Sequence, residues 1–228
     1  MNRRGFHHLL LSALAGAFAG GLPGCNKSDK SPGATTATSE KPPYAAPEKA
    51  DLFGGTCVRD EPGCKRPKEV AILAGGCFWG MEEILRKIPG VIATEVGYSG
   101  GTTGAPGYEQ VKTGETGHAE SVRIAFNPEK LSYETLLEQW FFRMHDPTTV
   151  NRQGNDIGTQ YRSAIFYLTP EQKRIAEKVK RRVNESGKWS APVVTEITPA
   201  SSFTRAETYH QKYLKNNPTG YTCHYLRD

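Results

Sequence analysis

The sequence predicts an α+β fold, and three observations carry that expectation. Short apolar stretches of strand type are interleaved with helical patterns of three- and four-residue steps. Gly and Pro clusters punctuate them. The order of the pieces is β-α-β-β-α-β with further elements behind it, which implies an antiparallel or mixed sheet carrying helices on one face.

The elements follow in chain order. Val70 to Leu73 forms a short apolar strand closed by Gly75-Gly76. Trp79, Ile84, Leu85 and Ile88 then fall on one helical face, stopped by Pro89-Gly90. Val91 to Tyr98 is a second strand, ended by Ser99-Gly100-Gly101. Val122, Ile124 and Phe126 alternate with Ser121, Arg123 and Ala125, the mark of a half-buried strand, before Asn127-Pro128. Ser132 opens a helix with Leu136, Leu137, Trp140 and Phe141 on one side, Ser132 and Thr135 serving as caps. Tyr161 to Leu168 is a strand, and Thr169-Pro170-Glu171 starts a basic amphipathic helix reaching about Asn184. Val193 to Ile197 is a last strand and Glu207 to Leu214 a short helix. This amounts to a ferredoxin-like core, a mixed sheet with helices packed on it, and an irregular C-terminal tail.

The chain has 228 residues, enough for one domain and an appendage, and its 37% hydrophobic content is ordinary for a globular protein. No apolar run reaches the roughly 18–20 residues of a membrane-spanning helix. Lys+Arg number 29 against 24 Asp+Glu, and residues 1–24 hold Arg3 and Arg4 with no acid, so the remainder carries 27 against 24, or +3. That excess is too small and scattered to indicate nucleic acid as a partner.

The first 24 residues are an export signal: Arg3-Arg4 precedes a short Ala- and Gly-rich apolar stretch, Leu9 to Leu22. Leu22-Pro23-Gly24-Cys25 resembles a bacterial lipobox, which implies lipid attachment at Cys25 and a membrane-anchored protein facing the periplasm or extracytoplasmic space. Arg3-Arg4-Gly5-Phe6 also resembles the twin-arginine pattern, leaving two export routes open. Residues 25–68 are rich in Ser, Thr, Ala, Pro, Lys and Glu without apolar periodicity, so they read as a disordered tether. The folded domain occupies residues 69–228.

Five cysteines need an account. Cys25 belongs to the lipid. Cys57 and Cys64 sit close together in the tether and suit a local structural disulfide in an oxidising compartment, a second redox relay being the weaker alternative. Cys77 follows Gly75-Gly76 at the expected start of the first helix, where free N–H groups and the helix dipole would lower its pKa toward a reactive thiolate. Spacing alone supports equally a buried structural Cys with Phe78 and Trp79 as core. Cys223 lies in the turn-rich Asn217-Pro218-Thr219-Gly220-Tyr221-Thr222-Cys223, where a flexible tail would suit a resolving thiol.

At Gly75-Gly76-Cys77-Phe78-Trp79-Gly80 the chain resembles the A-type peptide methionine sulfoxide reductases. The resemblance continues at Gly97-Tyr98-Ser99-Gly100-Gly101, Gly117-His118-Ala119-Glu120, Asn155 to Ser163 and Tyr209 to Leu214. It runs in order from about Val70 to the C-terminus, with only the export segment and tether outside it. It implies thiol-dependent reduction of the S epimer of methionine sulfoxide, in oxidised proteins and as the free amino acid. It also implies an α+β fold, no metal or organic cofactor, and recycling by an external thioredoxin-like dithiol.

Residue by residue, the resemblance makes Cys77 the nucleophile and Glu120 the acid that protonates the departing oxygen. Glu120 is in phase with Val122, Ile124 and Phe126, so desolvation would keep it protonated near neutral pH. Tyr108, Tyr161 and Asp156 match the polar wall that binds the sulfoxide oxygen and helps hold Glu120. Phe78 and Trp79 match an apolar cage for the S-methyl group. Cys223 becomes the resolving thiol, closing a Cys77–Cys223 disulfide. The expected oligomeric state is a monomer.

Three other readings fit parts of the pattern. His118-Ala119-Glu120 fits the start of a zinc deaminase motif, but no C-x-x-C follows to complete a metal shell. A cysteine hydrolase would need a His base, and His118, His145 and His210 are available, but no hydrolase block surrounds Cys77; His145 and His210 read as structural. A non-catalytic redox sensor, or a binder of oxidised Met-rich partners, uses the same thiols without turnover.

Overall fold

The computed structural model describes Phe53 and residues 68–228. The segment read as an export signal, nearly all of the expected tether and the three cysteines Cys25, Cys57 and Cys64 lie outside those residues. Among the described residues no helix is long and apolar enough to cross a membrane.

Four strands form the core of a six-stranded sheet: β1 (Glu69–Gly75), β2 (Val91–Ser99), β3 (Ala119–Phe126) and β6 (Ser163–Tyr167), in the spatial order β6-β1-β3-β2. Each pairs antiparallel with its neighbour. β1 and β2 both run against β3 and so run parallel to each other, joined by helix α1 (Phe78–Leu85) with β3 inserted between them. This is the split βαβ arrangement of the ferredoxin-like expectation. β7 (Glu196–Pro199) adds a parallel edge to β6, and β8 (Phe203–Arg205) an antiparallel edge to β2, so the sheet is mixed.

Strand alternation sorts the side chains between two faces. Ala71, Leu73, Val96, Tyr98, Val122, Ile124, Phe126 and Ile165 line the larger core, with Phe78, Met81 and Leu85 from α1. Ile72, Ala74, Ala119, Ala164 and Phe166 form a smaller cluster on the other face, against Phe203. α5 (Pro170–Glu185) covers the larger core with Ala176 and Val179, its start capped by Thr169 and pre-set by Pro170. The helix after Ser132 begins as α3 (Tyr133–Thr135), widens to a π-helical stretch over Leu136–Phe141 and closes as α4 (Phe142–Met144). Ser132 caps it, its Oγ accepting from the Thr135 N–H at 3.0 Å. The basic face of α5 is partly engaged rather than purely solvated: Arg182 forks onto Glu138 and reaches Glu134.

Three boundaries differ from the sequence reading. Tyr161 ends a 3₁₀ turn, Thr159–Tyr161, and the strand begins only at Ser163. The last predicted strand moves from Val193 to Glu196 because the loop captures its first amides: Val193 N–H donates to Asn184 Oδ1 and Val194 N–H to the Pro147 carbonyl. The predicted helix over Glu207–Leu214 splits into a 3₁₀ turn, Thr208–His210, and α6 (Tyr213–Asn216). Lys212 breaks it with φ 54°, held there by its N–H donating to buried Glu82 Oε2 at 2.6 Å. Short α2 (Tyr108–Lys112) and the hairpin β4 (Arg152–Gln153)–β5 (Asp156–Ile157) have no apolar period and were not predicted.

Phe53 belongs to the stretch whose composition predicts a tether, yet its ring sits 4.5 Å from the Arg123 guanidinium, which has Phe203 at 4.5 Å as well. Arg123 also pairs with Glu95 on the neighbouring strand. Replacing Phe53 by Ala removes one ring from this cation–π contact, and thermal unfolding of the full chain is expected to register a loss of about 0.5–1 kcal/mol.

Candidate active site

The strand β1 ends in Gly75-Gly76, and both glycines are needed by their neighbours. A Cβ on Gly75 would lie 2.9 Å from the His145 ring, and one on Gly76, at φ 102°, 2.5 Å from Gln153 Cγ. This tight turn delivers Cys77 as the N-cap of α1. The helix N-terminus then offers two amides to the site: Phe78 N–H donates to Glu120 Oε2 at 3.0 Å, and Trp79 N–H points at the Cys77 sulfur.

Glu120 projects from β3 on the face of Val122 and Ile124, opposite Tyr98 of β2, and is only 3% exposed. Burial pushes its carboxyl up to about 8, the charge of Asp156 adding to the rise and the Phe78 N–H opposing it. A carboxyl group raised this far keeps its proton at neutral pH. The prediction for Cys77 has the wrong sign. Burial pushes this thiol far above its ordinary value, and Glu120's charge pushes the same way, with the Trp79 N–H opposing. A helix start lowers a thiol pKa, but burial in apolar surroundings raises it, and here burial outweighs the helix. Here Cys77 is 7% exposed beside a carboxyl group.

Tyr108 opens α2, fixed by its N–H donating to Glu207 Oε1 at 2.8 Å. Both Tyr108 and Tyr161 have phenols raised first by burial and then by the charge of Glu120, with Cys77 contributing too, so both stand beside the thiol–carboxyl pair. Trp79 stacks on Tyr213 with ring centroids 3.9 Å apart, and its indole N–H donates to His210 Nδ1 at 3.0 Å. Phe78, expected beside it in the cage, is 1% exposed and packs under the site against Tyr98 and His210.

The tail is docked, contrary to the flexible arm expected. His224 Nε2 donates to the Gly75 carbonyl at 2.8 Å. Gly80 makes room for this: a Cβ there would lie 2.3 Å from Thr222 Oγ1. Farther on, Arg143 Nε donates to the Arg227 carbonyl at 2.6 Å and Arg227 N–H returns to the Arg143 carbonyl at 3.0 Å. Cys223 is thereby brought to Cys77, whose backbone N–H points at its sulfur, and both are free thiols. Asp156 stands near enough to Glu120, Tyr161 and Cys77 for its charge to raise all three, and its hydrogen bonds go to the docked tail. Its Oδ2 lies 3.4 Å from Cys223 Sγ and its Oδ1 accepts from Tyr221 O–H at 3.2 Å. Burial, then Asp156, push the Cys223 thiol up to about 11.

Two residues were missed in the sequence. His210, read as structural, has its ring 4.6 Å from Tyr108 and 5.1 Å from Phe78 while accepting from Trp79; the indole's need for a partner was the available signal. Glu207 ties two parts of the site together, accepting from Tyr98 O–H at 2.9 Å and from the Tyr108 amide. Nothing in its local pattern marks it. Among the described residues no group of three or more His, Cys, Asp or Glu is placed to hold a metal.

A buried thiol at a helix start, a buried carboxyl group on the neighbouring amide and a second thiol docked alongside define a thiol-dependent oxidoreductase on an α+β fold. Residues 69–228 match the family model of the peptide methionine sulfoxide reductases. Peptide methionine sulfoxide reductase MsrA of Nocardia farcinica is 58% identical over 157 residues, 69% of this chain and 89% of that protein. The MsrA 1 of Mesorhizobium japonicum is 55% identical over 159 residues, 70% of this chain and 90% of the other. Among solved structures, reduced Mxr1 from Saccharomyces cerevisiae superposes with a TM-score of 0.67 at 38% identity, covering 71% of this chain and 93% of its own. Methionine sulfoxide reductase A of Corynebacterium diphtheriae gives 0.60 at 37%, covering 76% and 82%. The chain belongs to the peptide methionine sulfoxide reductase family and is an oxidoreductase acting on methionine sulfoxide.

Proposed function

We propose that the protein reduces the S epimer of methionine sulfoxide, protein-bound and free, with Cys77 as nucleophile and Glu120 as acid. The observation that carries this reading is Glu120 itself, buried and fixed on the amide next to Cys77, where burial raises its carboxyl to about 8. Cys77 Sγ attacks the sulfoxide sulfur as Glu120 passes its proton to the oxygen, and the Cys77 proton reloads Glu120. The substrate's S–O bond breaks and oxygen leaves bonded to Cys77. Methionine sulfur gains two electrons, and Cys77 loses two to become a sulfenic acid. Tyr108 and Tyr161 donate hydrogen bonds to the oxygen while it gains charge. The accessible face of Trp79, with Phe78 beneath it, supplies the apolar contact that separates the two epimers.

Cys223 then attacks the sulfenic acid. Water leaves, and the Cys77–Cys223 disulfide is reduced by a thioredoxin-like dithiol. In this reading the enzyme is an exported lipoprotein anchored through Cys25, repairs oxidised exported proteins as a monomer, and meets its donor outside the cytoplasm. The residues that support export are Arg3-Arg4, the apolar Leu9 to Leu22 stretch and Cys25. Incubation with a mixed-epimer methionine sulfoxide peptide and excess dithiothreitol is expected to consume the S epimer over many turnovers and leave the R epimer. Loss of both epimers, or of neither, contradicts the assignment.

A further inference from the structure

The residue after the second thiol has no part in the reaction as described so far, yet its ring is fixed at both nitrogens. His224 Nε2 lies 2.8 Å from the Gly75 carbonyl oxygen, and Nδ1 lies 3.5 Å from Cys223 Sγ. A carbonyl oxygen only accepts, so Nε2 carries the ring's hydrogen and Nδ1 presents its lone pair to the thiol. We propose that His224 accepts the proton of Cys223 and holds its sulfur in line for attack on the Cys77 sulfenic acid. The proposal rests on Cys223 being the resolving thiol.

Cys223 has one S–H proton and two acceptors within reach, Nδ1 and Asp156 Oδ2 at 3.4 Å. The two differ in what they do to the sulfur. Asp156 stabilises the thiol form, because its negative charge opposes a thiolate. A proton moved to His224 leaves an imidazolium beside the developing thiolate, an attractive pair. The ring is 7% exposed, and burial lowers its value to about 4, so it is neutral at working pH with the Nδ1 lone pair unoccupied. The burial weakens it as a base, and the adjoining thiolate offsets this once the proton moves. The charged and titratable groups around this pair are Cys77, Asp156, Tyr221, His145 and Arg227; Arg227 presses the His224 value further down, while the Gly75 carbonyl raises it, and Tyr221 lowers the Cys223 thiol. Arg143 and Arg227 pin the tail beyond His224 and so hold this geometry.

The step balances. Cys223 Sγ bonds to Cys77 Sγ as its proton passes to Nδ1, and the sulfenic S–O bond breaks. Glu120 protonates the departing hydroxyl, which leaves as water, and His224 returns its proton to Glu120 through solvent. Cys223 sulfur is oxidised by one electron and Cys77 sulfur reduced by one.

His224→Gln in the full chain tests this, since the Gln amide N–H can still serve the Gly75 carbonyl while no basic nitrogen faces Cys223. The protein is mixed with a methionine sulfoxide peptide without reductant. Methionine release and Cys77–Cys223 disulfide are followed separately by quenched mass spectrometry across pH. One equivalent of methionine is expected at the unaltered rate. Disulfide formation is expected to be roughly tenfold or more slower than in the unsubstituted protein at neutral pH, and that ratio is expected to shrink as pH rises toward the thiol's own ionisation. Disulfide formation at the unaltered rate overturns the proposal. So does slowing by the same factor at every pH, which marks a purely structural ring, and so does loss of methionine release. Absence of the disulfide in the unsubstituted protein instead overturns the role of Cys223.

Discussion

Glu120→Gln is expected to lower kcat/KM by about 10²–10⁴-fold, the usual span for removing a general acid. Gln is nearly isosteric and its carbonyl can still accept from the Phe78 N–H, so the loss reports the proton and not the packing. The unsubstituted enzyme should have a telling pH profile. Its competent form has the proton on both Cys77 and Glu120, and burial sets the Glu120 carboxyl at about 8. kcat/KM should therefore hold level through neutral pH and fall as pH rises through about 8. An enzyme limited by a solvent-exposed thiolate would show a rising limb there, and such a limb would refute the assignment. In Glu120→Gln the fall should disappear.

The same carboxyl group has an opposite effect on stability. Its folded value is raised above the unfolded one, so between the ordinary carboxylate range and about 8 the folded state holds a proton that the unfolded chain has released. Stability from this group is complete below that range and declines as pH rises through it. Glu120→Gln should unfold at a higher temperature than the parent near pH 8, with the difference shrinking toward pH 4. A variant that loses activity and gains stability in the alkaline range would mark Glu120 as a site where folding free energy has been given up for chemistry.

Much of this was legible in the residues, and what was not has a common physical source. The strands β1, β2 and β3 declare themselves by apolar patterning, and Glu120 by its phase within one of them, because period and phase are local properties. The position of Cys77 at a helix start is local too. The direction of its pKa shift is not: it depends on how deeply β3 and the tail bury it, and on Glu120 lying 43 residues away in sequence. The docked tail rests on contacts such as His224 to Gly75 and on the missing Cβ of Gly80, each joining the two ends of the domain. A turn-rich tail carries no mark of its dock. Glu207 and Glu82 escaped for a related reason: one ties Tyr98 to Tyr108, the other holds Lys212 in its left-handed turn, and neither role follows from its neighbours in sequence.

Cys77→Ser and Cys223→Ser should separate the two halves of the reaction. Cys77→Ser is expected to yield no methionine, not even one equivalent per protein, because an alkoxide would have to replace a soft sulfur nucleophile at a still more buried-unfavourable charge. Cys223→Ser retains the helix start, Glu120 and both tyrosines, so it should release one equivalent of methionine as fast as the parent and then stop. Excess dithiothreitol should restart it, since a small thiol can reduce the Cys77 sulfenic acid directly, while a thioredoxin-like protein, which attacks a disulfide, should not. The decisive quantity is the burst. If Cys223→Ser gave none, the second thiol would belong to the first chemical step, and the docked tail would have to be understood as part of the substrate site. A full burst followed by arrest assigns it to recycling, where the position of its sulfur beside the Cys77 amide already prepares the disulfide.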